Sequence, residues 1–169
     1  MNTTLAERAA AAVRKLIPGL ATLFLLLLSV VPLSTPSPAL VLPPFALMGI
    51  YFWSVYRPDL LPMAAAFGIG LTQDMLSGGP PGLFAGAYLV VHAVMSGQRR
   101  LFVGKAFRVE WLGFALVAPP LYAAVWLIGS IYYFRLLPAA EIVVQVLLAL
   151  AFYPAITWAL GRLRALARI

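Results

Sequence analysis

The chain has 169 residues, of which 63% are hydrophobic and only 10% charged, and its formal net charge is +7. A soluble domain usually carries about 25% charged residues, so this composition argues against one and predicts a single membrane domain over residues 1–169. The sequence contains no cysteine, which excludes disulfides, thiolate metal sites and a cysteine nucleophile.

Apolar segments recur along the chain. A helix needs about 20 apolar residues to cross a hydrocarbon core roughly 30 Å thick. The third and fourth segments, over 60–75 and 82–97, are short for full crossings, so a re-entrant hairpin over 60–97 is an alternative. The pattern predicts an all-α integral membrane protein with six transmembrane helices, near residues 16–33, 39–56, 60–75, 82–97, 111–133 and 141–161.

Residues preceding the first span have helical features of their own. Thr4 and Glu7 have the spacing of a capping box, and an apolar face follows on the stretch after Thr4. We therefore expect a short interfacial helix over 4–15 on the inner leaflet. A frayed N-terminus and a cleaved signal peptide are the alternatives.

The basic residues divide unevenly between alternate connections. Arg135 is the single basic residue in the connections at 34–38, 76–81 and 134–140. The other eleven lie in the remaining segments: Arg8, Arg14, Lys15, Arg57, Arg99, Arg100, Lys105, Arg108, Arg162, Arg164 and Arg168. Short loops rich in Lys and Arg stay in the cytoplasm. We therefore expect both termini to be cytoplasmic, and the positive charge to meet anionic lipid of the inner leaflet rather than nucleic acid.

Aromatic residues close the second predicted span. Tyr51, Phe52, Trp53 and Tyr56 come directly before Arg57. Aromatic side chains are enriched where a membrane meets water. The sequence thus predicts an aromatic belt here.

A carboxylate ends the third span. Asp74 faces the negative end of the helix macrodipole, so it needs compensating donors. The turn over residues 78–82 is rich in glycine and could supply N–H groups, and Gly70, Asp74 and Gly78 share one face at a spacing of four. Two interpretations stay open: Asp74 caps the turn of a packed hairpin, or it contacts a partner or ligand.

Two glycines open the fourth span. Gly82 and Gly86 form a GxxxG pair, which permits close approach of another helix. We expect this face to be a contact surface inside the membrane.

Other polar residues fall at the same outer depth as Asp74. We expect Gln73, Asp74, Arg135 and Gln145 to form one polar cluster in the outer leaflet, with Asp74 paired to Arg135. Glu141 has a simpler interpretation, since an acid at a helix N-terminus is electrostatically favourable.

His92 is the single histidine of the chain. Without cysteine or further histidine it cannot build an ordinary zinc site, and no acid in evident reach orients it toward Ser96. We expect a packed histidine that is hydrogen-bonded to a neighbouring helix. No phosphate loop or dinucleotide fingerprint occurs, so the sequence predicts neither an enzyme nor a cofactor.

Several stretches carry a resemblance to a known family. They are residues 51–62 (YFWSVYRPDLLP), 67–78 (FGIGLTQDMLSG), 80–82 (PPG) and 153–158 (YPAITW). Together they resemble the bacterial rod shape-determining MreD family. In that family an aromatic stretch and an Arg-Pro pair precede a short span ending Gly-x-x-x-Asp-x-x-x-Gly. The positions that match are Arg57, Pro58, Gly70, Asp74, Gly78, Gly82 and Gly86, while Pro81 stands where the family commonly has leucine.

The resemblance implies a non-enzymatic scaffold of the cell-elongation machinery in the bacterial inner membrane. Its expected partners are MreC, the glycosyltransferase RodA with its class B penicillin-binding protein, and MreB directly or indirectly. A homo-oligomer is also compatible with it.

The same family is thought to share its six-helix fold with the substrate-binding S-components of energy-coupling vitamin transporters. A solute-binding subunit is therefore the alternative function, with Gln73, Asp74, Glu141 and Gln145 as groups that could converge on a ligand. Against it, the first span lacks the Ala-x-x-x-Ala signature by which those proteins dock to their energising module.

Overall fold

The computed structural model describes the backbone of residues 5–30 and 42–167, and the side chains of residues 14–29 and 42–167. Over these ranges the protein is all-helical, with six α-helices, one 3₁₀ turn at Arg99–Leu101 and no strand. The helices are α1 (Leu5–Val30), α2 (Phe45–Tyr56), α3 (Met63–Ser77), α4 (Leu83–Gln98), α5 (Phe107–Tyr132) and α6 (Ala139–Leu166).

Two helices in the described part of the chain are long and apolar enough to cross a membrane. These are α5 and α6, with 26 and 28 residues. The helix α2 is a shorter apolar segment of 12 residues. These helices agree with the transmembrane character that the composition predicts.

The first two helices differ from their predicted bounds. α1 runs without a break from Leu5 to Val30 and includes Pro18, so residues 5–15 of the predicted interfacial helix over 4–15 are continuous with the helix of the first predicted span. Thr4, the side chain of Glu7 and residues 31–41 lie outside the described residues. α2 begins at Phe45 rather than near residue 39 because Pro44 precedes it as N-cap, and a residue followed by proline is disfavoured in the helical region.

The helix α2 lies at the centre of the molecule. Its residues from Phe45 to Val55 are all buried, and it packs against α1, α4 and α6. Tyr51 and Trp53 are 0% exposed and Phe52 is 2% exposed. The aromatic-belt prediction is therefore wrong for these three residues, because α2 is apolar all round and is enclosed by its neighbours.

The outer surface of the helices is apolar, while several polar side chains are inside. Exposed hydrophobic residues on α5 and α6 include Leu112, Leu116, Leu127, Ile131, Val143, Leu147 and Trp158. Buried polar residues are Thr22, Ser54, Asp74, His92, Glu110, Ser130 and Thr157. Extended exposed apolar surface is typical of a face that meets a membrane or another protein.

The helix ends meet at two sides of the molecule. On one side Tyr56 at the end of α2, Glu110 near the start of α5 and Arg164 near the end of α6 line a common cavity. On the other side the Tyr133 hydroxyl, just past α5, donates to the carbonyl of Gly78 at 3.3 Å. Alternate connections along the chain thus lie at opposite ends of the bundle.

Candidate functional site

Asp74 lies in the last turn of α3 and is only 2% exposed. The C-terminus of a helix carries partial negative charge and is unfavourable for a carboxylate. Its position is explained by the first turn of α4, whose N-terminal N–H groups have no partner within their own helix.

Three of those N–H groups point at the Asp74 carboxylate. Gly82 and Ala85 donate to Oδ2 at 2.8 and 3.3 Å, and Phe84 donates to Oδ1 at 2.9 Å. α4 has no capping side chain at its own N-cap, Gly82. Asp74 therefore caps α4 from the end of α3, which is the capping role among the two interpretations of the sequence.

The glycines of the motif make this geometry possible. Gly78 and Gly82 have φ of +65° and +95°, a region that residues with a Cβ seldom adopt. At Gly70, an added Cβ would lie 2.5 Å from the Cα of Ala85. The backbones of α3 and α4 are thus in direct contact, and the three glycines and Asp74 act as one hairpin-forming unit.

The predicted outer polar cluster does not form. Gln73 Oε1 accepts a hydrogen bond from the Tyr88 hydroxyl, and the Asp74 oxygens are occupied by main-chain donors. Arg135 is exposed, and the single ion pair among the described side chains joins two other residues, Arg57 and Asp59. The prediction of an Asp74–Arg135 pair is therefore wrong, and no described hydrogen bond brings Gln145 to this group.

The GxxxG face of α4 is open. A Cβ at Gly82 or Gly86 would meet nothing within 4 Å, so no described helix uses these residues for close approach. They lie along a groove of about 550 Å³ between α4 and α5, which is mostly apolar. Its lining includes Pro80, Gly82, Gly86, Leu121, Val125 and Ile128.

Arg57 and Pro58 belong to the tight connection between α2 and α3. The Arg57 guanidinium donates to the Asp59 carboxylate at 3.0 to 3.3 Å. This hydrogen bond lowers the pKa of Asp59 and raises that of Arg57. The Arg57 side chain is 34% exposed and that of Asp59 57%, so the pair shapes the loop rather than a buried site.

His92 is buried and bonded to a neighbouring helix, as the sequence predicts. Its Nδ1 lies 2.8 Å from the Ser54 hydroxyl, which itself donates to the carbonyl of Ile50 at 2.6 Å. Because that hydroxyl proton is used, Nδ1 carries the hydrogen in this pair. Ser96 donates instead to the carbonyl of Ala93 and does not meet His92 in this hydrogen-bond pattern.

A second buried carboxylate, Glu110, was not singled out by the sequence. It lies in the first turn of α5 and is 3% exposed. The Tyr153 hydroxyl donates to Oε1 at 2.6 Å and the Tyr56 hydroxyl donates to Oε2 at 2.7 Å. The Tyr51 hydroxyl donates to the main-chain carbonyl of the same residue at 3.2 Å, so three tyrosines surround Glu110.

Glu110 also faces a cavity of about 530 Å³, called the Glu110 cavity below. Its lining includes Phe52, Tyr56, Phe107, Glu110, Thr157 and Arg164. The Arg164 guanidinium carbon lies 4.8 Å from the centre of the Tyr56 ring, which is the geometry of a cation–π contact. The Thr157 hydroxyl is buried and lies close to the Tyr153 hydroxyl without a well-formed hydrogen bond to it.

No local pattern marks Glu110 in the sequence. It falls in a stretch of basic residues that is counted as a connection when the fifth span begins at residue 111. Its tyrosine partners come from α2 and α6, which lie 54 and 43 residues away in the chain. The usable signal was an acid in the first turn of a long apolar helix, next to spans that carry tyrosine.

Comparison of the chain with protein-family models, with curated proteins and with solved structures gives no match. In its described residues the protein belongs to the class of all-helical proteins with two helices that are long and apolar enough to span a membrane. Within the same residues, no three His, Cys, Asp or Glu side chains are grouped so that they could hold a metal ion.

Proposed function

We propose that this protein is a multi-pass scaffold of the bacterial inner membrane, of the MreD type, that acts in cell elongation through protein contacts. The observation that carries the proposal is the motif around Asp74. The Asp74 carboxylate accepts three hydrogen bonds inside the α3–α4 hairpin. The surface that stays open to a partner helix is instead the Gly86 face of α4, where a Cβ would meet nothing within 4 Å.

Six crossings with cytoplasmic termini are part of the proposal. The helix ends that line the Glu110 cavity include the basic residue Arg164. The basic connections adjoin the other helix ends at this cavity, so they fall on the same side. The opposite side holds Gly78 and Tyr133. This alternation supports a topology in which Lys and Arg gather at the cytoplasmic face.

The solute-binding alternative has less support. It requires Gln73, Asp74, Glu141 and Gln145 to converge on a ligand in the outer half. Asp74 and Gln73 instead bond to α4, and Glu141 is exposed in the first turn of α6.

Gly86→Leu is the variant that tests the scaffold. The new side chain has room, because nothing lies within 4 Å of a Cβ at that position, so it fills the groove without disturbing the hairpin. We expect it to reduce co-purification of MreC and RodA with a tagged protein in mild detergent, and to round the cells. The matched control is Gly97→Leu in the same helix, where a Cβ is equally unobstructed.

Equal recovery of both partners with the two variants would reject the groove as the contact surface. If depletion leaves cells rod-shaped and a cytosolic ATPase module with a bound vitamin co-purifies, the transporter alternative replaces the scaffold. Cysteine labelling that places residues 98–110 in the periplasm would overturn the orientation.

A further inference from the structure

The Glu110 carboxylate is incompletely satisfied by the protein. An ionised carboxylate offers about four acceptor positions on its two oxygens, and each oxygen receives one tyrosine hydroxyl. Glu110 takes no part in the ion pair recorded among the described side chains. A buried carboxylate without a cation is costly unless further donors reach it.

The cavity in front of Glu110 offers other groups for a ligand. Thr157 is 9% exposed, and its buried hydroxyl lies close to that of Tyr153 without a well-formed hydrogen bond to it. Arg164 is half-buried at the cavity wall, and it too is outside the recorded ion pair. A negative group, a neutral hydroxyl and a positive group therefore line one space.

The volume and position of the cavity narrow the choice of ligand. About 530 Å³ falls in the roughly 300–1,000 Å³ range of small-molecule sites. The cavity lies where the end of α6 meets the start of α5, and its wall includes the exposed apolar side chain of Phe107. A ligand with a polar zwitterionic part and an apolar part fits this position.

We propose that the Glu110 cavity binds a phosphate diester that bears a primary ammonium, supplied by the head group of phosphatidylethanolamine. The ammonium donates to the free acceptor positions of Glu110 and to the Thr157 hydroxyl. The phosphate pairs with Arg164, whose guanidinium can donate two parallel hydrogen bonds. The acyl chains lie along the apolar faces of α5 and α6.

A lipid explains the cavity better than a cationic side chain of a partner protein. A lysine or arginine would satisfy Glu110 and Thr157 but would be repelled by Arg164. The site presents the Glu110 carboxylate and the Arg164 guanidinium together. A zwitterionic head group carries a positive and a negative group close to each other and can pair with both. This inference does not depend on the scaffold role, because it concerns a different face of the molecule.

The test is lipid binding by native mass spectrometry of the full chain in detergent. The probes are phosphatidylethanolamine, phosphatidylcholine and the soluble head group glycerophosphoethanolamine. We expect phosphatidylethanolamine to bind about tenfold more tightly than phosphatidylcholine, which has no ammonium N–H to donate. Glu110→Gln should remove this preference, while the exposed control Glu141→Gln keeps it.

A second variant covers the case in which Glu110→Gln does not fold. Arg164→Gln, at a half-buried position, should weaken both lipids by about tenfold because it removes the phosphate partner. Binding of the lipid without the soluble head group assigns the membrane as the source, and comparable binding of the soluble head group assigns a free diester. Binding of neither lipid, equal affinity for both lipids, a preference that survives Glu110→Gln, or unchanged affinities in Arg164→Gln would overturn the proposal.

Discussion

Asp74 and Glu110 are both buried carboxylates, yet they are satisfied in opposite ways. Asp74 accepts from main-chain N–H groups only 8 to 11 residues further along the chain. Glu110 accepts from two tyrosine hydroxyls that belong to distant helices. The first carboxylate builds a local hairpin, whereas the second joins α2, α5 and α6 and leaves room for a ligand.

This difference predicts that Asp74 matters more for stability than Glu110. Asp74→Ala leaves three N–H groups at the start of α4 without acceptors, one buried at Ala85 and two partly buried at Gly82 and Phe84, and an unsatisfied donor costs about 1–3 kcal/mol when it is buried. We expect a loss of at least about 3 kcal/mol, or no recoverable folded protein, measured by thermal unfolding in detergent. Asp59→Ala is the exposed control, and an equal loss in both variants would contradict the capping role.

The close contact of α3 and α4 gives the next largest effect. Gly70→Ala places a methyl group 2.5 Å from the Cα of Ala85, and overpacking of this kind costs about 1–3 kcal/mol. Gly68→Ala lies two residues earlier in the same helix, where nothing is within 4 Å of a Cβ. We expect that control to be neutral or stabilising by about 0.5–1 kcal/mol, so similar melting temperatures for the two variants would argue against a tight hairpin.

The long-range tyrosine contacts should give a smaller and coupled effect. Tyr153→Phe removes one donor to Glu110, with an expected cost of about 1–2 kcal/mol. A double-mutant cycle with Glu110→Gln should show a coupling energy above about 0.5 kcal/mol, since the two side chains are in contact. Additive effects on the unfolding temperature would show that the hydrogen bond contributes nothing.

The exposed Arg57–Asp59 pair should contribute least, below about 1 kcal/mol. Because the pKa of Asp59 is lowered in the folded protein, its contribution is present above the ordinary carboxyl pKa. That contribution is lost as the pH falls through the lowered value. Asp59→Asn should therefore narrow the difference between melting temperatures at neutral and strongly acidic pH. An unchanged difference would show that the pair is not formed in solution.

The contrast between the two carboxylates also explains what the sequence could predict. The helices α3 and α4 and the need of Asp74 for donors follow from local signals, namely apolar runs, a glycine-rich turn and a charge at a helix end. The burial of Tyr51 depends on neighbours that come much later in the chain. The tyrosine partners of Glu110 depend on the packing of three helices, and this packing has no local signature.

The polar residues that were placed wrongly show the same limit. Arg135, in the connection between α5 and α6, and Asp74, at the end of α3, were placed at a similar depth, and depth alone suggested a pair. The hairpin turn provides donors closer to Asp74 than any side chain from α5 or α6. A side-chain pair predicted from membrane depth does not form where main-chain N–H groups already donate to the charged group.

The enclosure of α2 has a consequence for biogenesis. As the chain is made from its N-terminus, α2 leaves the ribosome after α1 and before α4 and α6, which cover it in the finished molecule. The flanks of α2 that later helices cover in the finished molecule are therefore exposed until those helices are made. A nascent chain stopped before α6 would keep the Phe45 and Tyr51 flank unshielded, which makes the order of synthesis part of how this centre is assembled.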